Sequence, residues 1–148
     1  MYNTAALGVV LDYKENKQSF FGGQNKGSQQ HDDDILCVGI SPCRKFAATG
    51  QCGIQPKIFV WETETGKVIA QYKLGKEARG IIACRFSVDG KYLAFVDNGD
   101  DHSLYVLQIS DSTIKYTTKI GSSFITDVEW SKKDNDYTLC IVGINIIK

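Results

Sequence analysis

Long apolar runs are missing from this sequence, and with them one class of protein. Nothing approaches the roughly 18 consecutive apolar residues that a membrane-spanning helix needs. The first residues, Met1-Tyr2-Asn3-Thr4-Ala5-Ala6-Leu7-Gly8, lack the basic start and apolar stretch of a secretory signal, so the expected location is the cytoplasm. Net charge is also missing, because 17 basic residues balance 17 acidic ones. A nucleic-acid partner normally demands a basic excess to neutralise phosphates, and none is expected here. Paired metal-ligand spacing is absent too. The five cysteines (Cys37, Cys43, Cys52, Cys84, Cys140) form no CxxC, and only His31 and His102 could join them. Cys37, Cys84 and Cys140 fall in apolar runs, where free cysteine packs as a small hydrophobe. No metal and no cofactor is expected.

Helical periodicity is the last absence. What stands in its place is a series of short segments rich in Val, Ile, Phe, Tyr and Thr, cut by Gly, Asn and Asp. Strands are expected at 5–13, 18–21, 35–40, 46–49, 57–62, 68–74, 81–86, 92–96, 103–108, 114–120, 125–130 and 138–142. The links are short, which implies antiparallel pairing throughout. The segment Gly22–Gln30 reads as a flexible surface loop.

Three of these segments share one frame. Leu36-Cys37-Val38-Gly39-Ile40-Ser41, Ile82-Ala83-Cys84-Arg85-Phe86-Ser87 and Thr126-Asp127-Val128-Glu129-Trp130-Ser131 end on serines spaced 46 and 44 residues apart. A second register agrees, since Ile58-Phe59-Val60-Trp61-Glu62 and Leu104-Tyr105-Val106-Leu107-Gln108 are 46 apart. A period near 45 with four strands is the mark of a WD40-type β-propeller. The expected fold is therefore all-β, about three four-stranded antiparallel blades, two complete and two partial. The expected divisions are a half blade at 1–23, blades at 31–74 and 77–120, and a partial blade at 124–148, with the loop at 22–30. Ser41, Ser87 and Ser131 end inner strands and should build the turns that follow. Trp61 should fill the space between neighbouring sheets, with Glu62 where the repeat usually has Asp. His31 stands where the repeat has its histidine. The loop before it displaces the usual glycine, which argues against a complete His–Ser–Asp–Trp hydrogen-bond network.

Finer phrasing points further. Ala5-Ala6-Leu7-Gly8-Val9-Val10-Leu11-Asp12, Gln18-Ser19-Phe20-Phe21, His31-Asp32-Asp33-Asp34-Ile35-Leu36-Cys37, Ala48-Thr49-Gly50-Gln51 and Pro56-Lys57-Ile58-Phe59-Val60-Trp61 resemble the echinoderm microtubule-associated protein-like (EMAP-like) family. The resemblance runs on through Gly80–Ser87 and Trp130 to Gly143, nearly the whole chain. It implies tandem propellers that associate with tubulin and microtubules, in the cytoskeleton and on the doublets of the ciliary axoneme, alongside other cytoskeletal proteins.

No residue pattern suggests catalysis. His31 with Asp32–Asp34 is the one polar cluster worth weighing, and turn chemistry accounts for it. His102 follows Asp100-Asp101 in a turn, and no nucleophile motif or phosphate loop appears. The expected role is a non-catalytic scaffold. The alternative is a generic WD40 interaction scaffold unrelated to microtubules. Candidate partner contacts are two basic clusters, Lys73, Lys76 and Arg79, and Lys132 with Lys133. Propellers close with about four to eight blades, so further blades or neighbouring chains are expected against the open flanks.

Overall fold

The computed structural model describes residues 1–22 and 29–144, and the backbone of 146–147. Most of the loop expected at 22–30 lies outside the described residues. The strands are β1 (Tyr2–Thr4), β2 (Leu7–Asp12), β3 (Lys17–Phe21), β4 (Ile35–Ile40), β5 (Phe46–Gln51), β6 (Lys57–Glu62), β7 (Val68–Lys73), β8 (Ile81–Phe86), β9 (Tyr92–Asp97), β10 (Ser103–Gln108), β11 (Thr113–Lys119), β12 (Ile125–Trp130), β13 (Leu139–Gly143) and β14 (Ile146–Ile147). They form four antiparallel meanders in sequence order: β1–β3, β4–β7, β8–β11 and β12–β14. The chain is all-β, a propeller fragment with two full four-stranded sheets.

The central strands β5, β6 and β9 exist because their side chains are covered on both faces. In β6, Ile58, Phe59, Val60 and Trp61 are all fully buried. Successive strand residues point to opposite faces. Phe59 and Trp61 accordingly join a core with Phe21 and Ala47, toward the first sheet. Ile58 and Val60 join the core toward the third sheet, with Ile81, Phe86, Leu93, Phe95 and Leu107. A third core, around Val96, Leu104, Val128 and Ile141, joins the last two sheets. Burial on both faces explains why these strands read as continuous apolar runs rather than alternating ones.

The first strand of each later sheet, β4, β8 and β12, lies on the inside, and the three sit side by side. Each has a β-bulge at its second residue. Ile35 pairs with Gln51 but Cys37 with Gly50, leaving Leu36 extra. Ile82 and Thr126 are the extra residues of β8 and β12. These positions repeat at 46 and 44 residues, the same spacing as the serines. The last strands repeat as well, with shifts that leave Ile69 and Lys115 unmatched.

Two expectations need correction. The strand expected over 5–13 starts only at Leu7, as the second arm of a hairpin whose first arm, Tyr2–Thr4, precedes it. Thr4 pairs with Leu7, and Ala5 turns the chain at φ 47°. Left-handed backbone at a turn is normally marked by Gly or Asn, and Ala-Ala carries no such mark. Cys140 was expected among core thiols, but its side chain is exposed while its neighbour Ile141 is buried. Strand alternation puts it on the outer face. Cys37 and Cys84 are buried, and their mutual hydrogen bond together with burial pushes the Cys37 thiol well above its usual range.

Candidate functional site

The most elaborate polar cluster grows from the joint between the first two sheets. Trp61 lies flat on Phe21, ring centroids 4.8 Å apart and planes within 10°. Gly8 leaves room for it, since a Cβ there would stand 3.1 Å from the indole. The indole Nε1–H donates to Thr49 Oγ1 at 3.1 Å. Thr49 Oγ1 also meets His31 Nε2 at 2.8 Å. On the other side, His31 Nδ1 is 2.8 Å from Gln51 Oε1. Gln51 Nε2 donates to Asp32 Oδ1, and Lys57 Nζ donates to Asp32 Oδ2, both at 2.6 Å.

Donor and acceptor arithmetic fixes where the histidine carries a proton. An amide oxygen only accepts, so Nδ1 carries the proton. Thr49 Oγ1 accepts from the indole, so its own hydrogen is free to donate to Nε2. That neutral tautomer satisfies every group. Burial between Phe21 and Phe59, whose rings meet the imidazole edge-on, then lowers the His31 pKa to about 4. The bonds from Lys57 and Gln51 hold Asp32 down to about 2.

A network of the same form is present despite the displaced glycine, but not the full His–Ser–Asp–Trp set, since Thr49 takes the hydroxyl role and Gln51 stands in place of an aspartate. The corresponding place in the next sheet is Asp97, 46 residues on, and there it is an aspartate. Asp97 is buried and accepts from the Gly99 and Ser103 amides and from Tyr105 Oη. Tyr105 is pushed up to about 12 by its burial and by that carboxylate. No histidine completes this second network, because Glu77 stands 46 residues after His31. Thr49 and Gln51 enter the sequence reading only within the family resemblance, with no role given to them, and Asp97 does not enter it. The 46-residue register that linked the tryptophan strands also links Gln51 with Asp97.

The remaining residues fall as follows. Ser41 and Ser87 are buried and accept, through Oγ, the amides of Phe46 and Tyr92 at 3.0 Å, closing the inner turns. Ser131 Oγ donates to Asp136 in the longer third turn. Glu62 accepts from Thr65 Oγ1 within the next turn. His102 sits in its turn with Nδ1 2.9 Å from the Asp97 carbonyl. Among the described residues, no three His, Cys, Asp or Glu side chains gather in a metal-sized group.

The basic clusters do not come together. Lys73 ends β7, and Lys76 and Arg79 lie in the link to β8, all exposed. Arg79 reaches Asp100 at 3.6 Å in an exposed pair, a geometry that contributes at most about 1 kcal/mol. Lys132 and Lys133 follow the far end of β12. The inner strands start at one end of the molecule, where the β5–β6 link touches Gly80, and stop at the other. The two clusters thus mark opposite ends.

No family model matches the chain. It is 38% identical, over 96% of its length, to a ciliary WD repeat-containing protein, ctxp80, of Euplotoides octocarinatus. It is 31% identical over 68% of its length to human echinoderm microtubule-associated protein-like 1, and 28% identical over 90% to human echinoderm microtubule-associated protein-like 4. The chain spans 21%, 12% and 14% of those three proteins. Taken with the serine and tryptophan registers and the His31–Thr49–Trp61 network, these similarities make this chain a member of the EMAP-like family of WD40 repeat proteins.

Proposed function

We propose that this chain is a non-catalytic interaction segment of a microtubule-associated WD40 protein, working in the cytoskeleton and on the ciliary axoneme. The observation that carries this reading is the alignment of nearly the whole chain with a ciliary WD repeat protein, within a family named for microtubule association. The chemistry supports a scaffold. Both ring nitrogens of His31 are engaged with neighbouring side chains, so its proton is held for structure and not for transfer. In this reading residues 31–74 and 77–120 act as whole blades, and the sheets at 1–23 and 124–148 meet further blades or neighbouring chains. Partners are tubulin and other cytoskeletal or axonemal proteins, with no role for nucleic acid or membrane.

Co-sedimentation with taxol-stabilised microtubules tests this. The chain should pellet with the polymer and saturate, and the pelleted fraction should fall as salt is raised. A chain that stays in the supernatant at low salt would favour the generic WD40 scaffold instead.

A further inference from the structure

The end of the molecule where β4, β8 and β12 stop holds a cavity of about 430 Å³ whose lining is specific in kind. Its apolar part is Ile40, Pro42 and Val88, with Ile40 47% and Val88 37% exposed. Trp130 also lines it, its Nε1–H donating to the Arg85 carbonyl at 2.9 Å. Three cations line it, Arg44, Arg85 and Lys132, against one carboxylate, Glu129. Arg85 already answers Glu129 at 3.5 Å and Asp127 at 2.8 Å. Arg44 and Lys132 make no ion pair among the described residues, which leaves two uncommitted positive charges beside an exposed apolar floor.

The backbone at Arg44 is the second observation. Its amide donates to the Ser41 carbonyl at 2.8 Å, and its φ is +61°. The same turn recurs in the next sheet, where Gly90 donates to the Ser87 carbonyl at φ +70°. Glycine takes that conformation freely, whereas a long side chain there costs about 1 kcal/mol. The first turn nevertheless holds an arginine. Its carbonyl also accepts from Thr63 Oγ1, so the turn presents the guanidinium from a fixed backbone.

We propose that this inner-turn end docks an acidic peptide bearing one apolar side chain. The apolar side chain would sit on Ile40 and Val88, and flanking carboxylates would meet Arg44 and Lys132. Guanidinium pairs with carboxylate in a two-pronged geometry that suits a fixed donor. This deepens the scaffold reading by naming the face and the partner's chemistry, and it rests on that reading only for the partner's source. Lys73, Lys76 and Arg79, at the other end, take no part.

The test is fluorescence anisotropy on the full chain with a dye-labelled glutamate-rich heptamer carrying one central phenylalanine. Binding should saturate, weaken when serine replaces the phenylalanine, and vanish for a lysine-rich counterpart. Arg44→Asn keeps a residue that tolerates positive φ, and Lys132→Ser changes an exposed side chain, so thermal melts should match the parent. Each should weaken binding about tenfold, a loss typical of removing one charged contact. Lys76→Ser should leave binding unchanged. No saturable binding, or equal weakening by Lys76→Ser, would overturn the proposal. Microtubule co-sedimentation of the Arg44→Asn/Lys132→Ser chain separates the two readings. If the parent pellets and the variant does not, both stand. If both pellet alike, the microtubule reading survives and the microtubule is ruled out as the source of this surface's acidic partner. If the parent binds the heptamer but does not pellet, the surface stands and the microtubule reading falls.

Discussion

The joint between the first two sheets and the joint between the last two are built on one plan and finished differently. At the first, Phe59 and Trp61 of the third strand fill the space against Phe21, and all three are buried. At the last, a groove of about 650 Å³ remains, lined by Leu104, Val106, Tyr116, Trp130, Leu139 and Ile141. Tyr116 on its wall is 57% exposed. The described third strand there is only Ile146–Ile147, which pairs with Val142–Gly143. Its partner Val142 matches Gly50 of the second sheet, which pairs with Ile58, three residues before Trp61. At the first joint it is the third strand, through Phe59 and Trp61, that fills the space between the sheets.

The strongest way to break this comparison is to open the sealed joint. Trp61→Ala removes the stack on Phe21 and the bond to Thr49, and should cost about 3–5 kcal/mol in urea unfolding. A loss below about 1 kcal/mol would mean the ring does not seal anything.

The histidine beneath that ring gives the joint a pH signature. Its folded pKa of about 4 lies below its ordinary 6.5. The unfolded chain therefore binds a proton between those values while the folded chain does not. The His31 share of stability should be constant above pH 7 and fall as pH drops from about 6.5 to 4, by up to about 3 kcal/mol. His31→Phe should flatten that slope, leaving only the carboxylates' lower-pH losses.

A matched pair sharpens the comparison. Leu93 and Leu139 hold the same place, each opposite the last residue of its inner strand, but Leu93 is fully buried and Leu139 half-buried at the groove. Leu93→Ala should cost about 2–5 kcal/mol and Leu139→Ala under half as much, measured by the same melt. The smallest effect is Tyr116→Ser on the groove wall, which should move stability by about 0.5 kcal/mol or less and reduce binding of a hydrophobic dye.

The architecture was legible because it repeats. Ser41, Ser87 and Ser131 announced the inner turns, and Trp61 announced the sealing strand, since each type has a physical reason at a fixed spacing. The hairpin at Ala5 was not legible, because its left-handed residue carries a side chain that usually avoids that conformation. The network at His31 was misread for a related reason. The displaced glycine counted against it, yet Thr49 offers the same hydroxyl as serine, and Gln51 accepts a hydrogen bond from the imidazole N–H as a carboxylate would. Arg44 was invisible for the opposite cause. Only its backbone angle, set beside Gly90, separates it from any other surface arginine.

The bulges at Leu36, Ile82 and Thr126 give each inner strand a reading frame. Upstream of the extra residue one set of side chains faces the neighbouring sheet, and downstream the alternate set does. Deleting a single residue between a bulge and its serine is therefore not a local trim. It would transpose every later side chain of that strand, turning Arg85 inward and Phe86 outward in β8. Duplication of whole repeats leaves all frames intact, whereas a one-residue slip scrambles one of them. That asymmetry makes the unit of change in this protein the repeat of about 45 residues, not the single position.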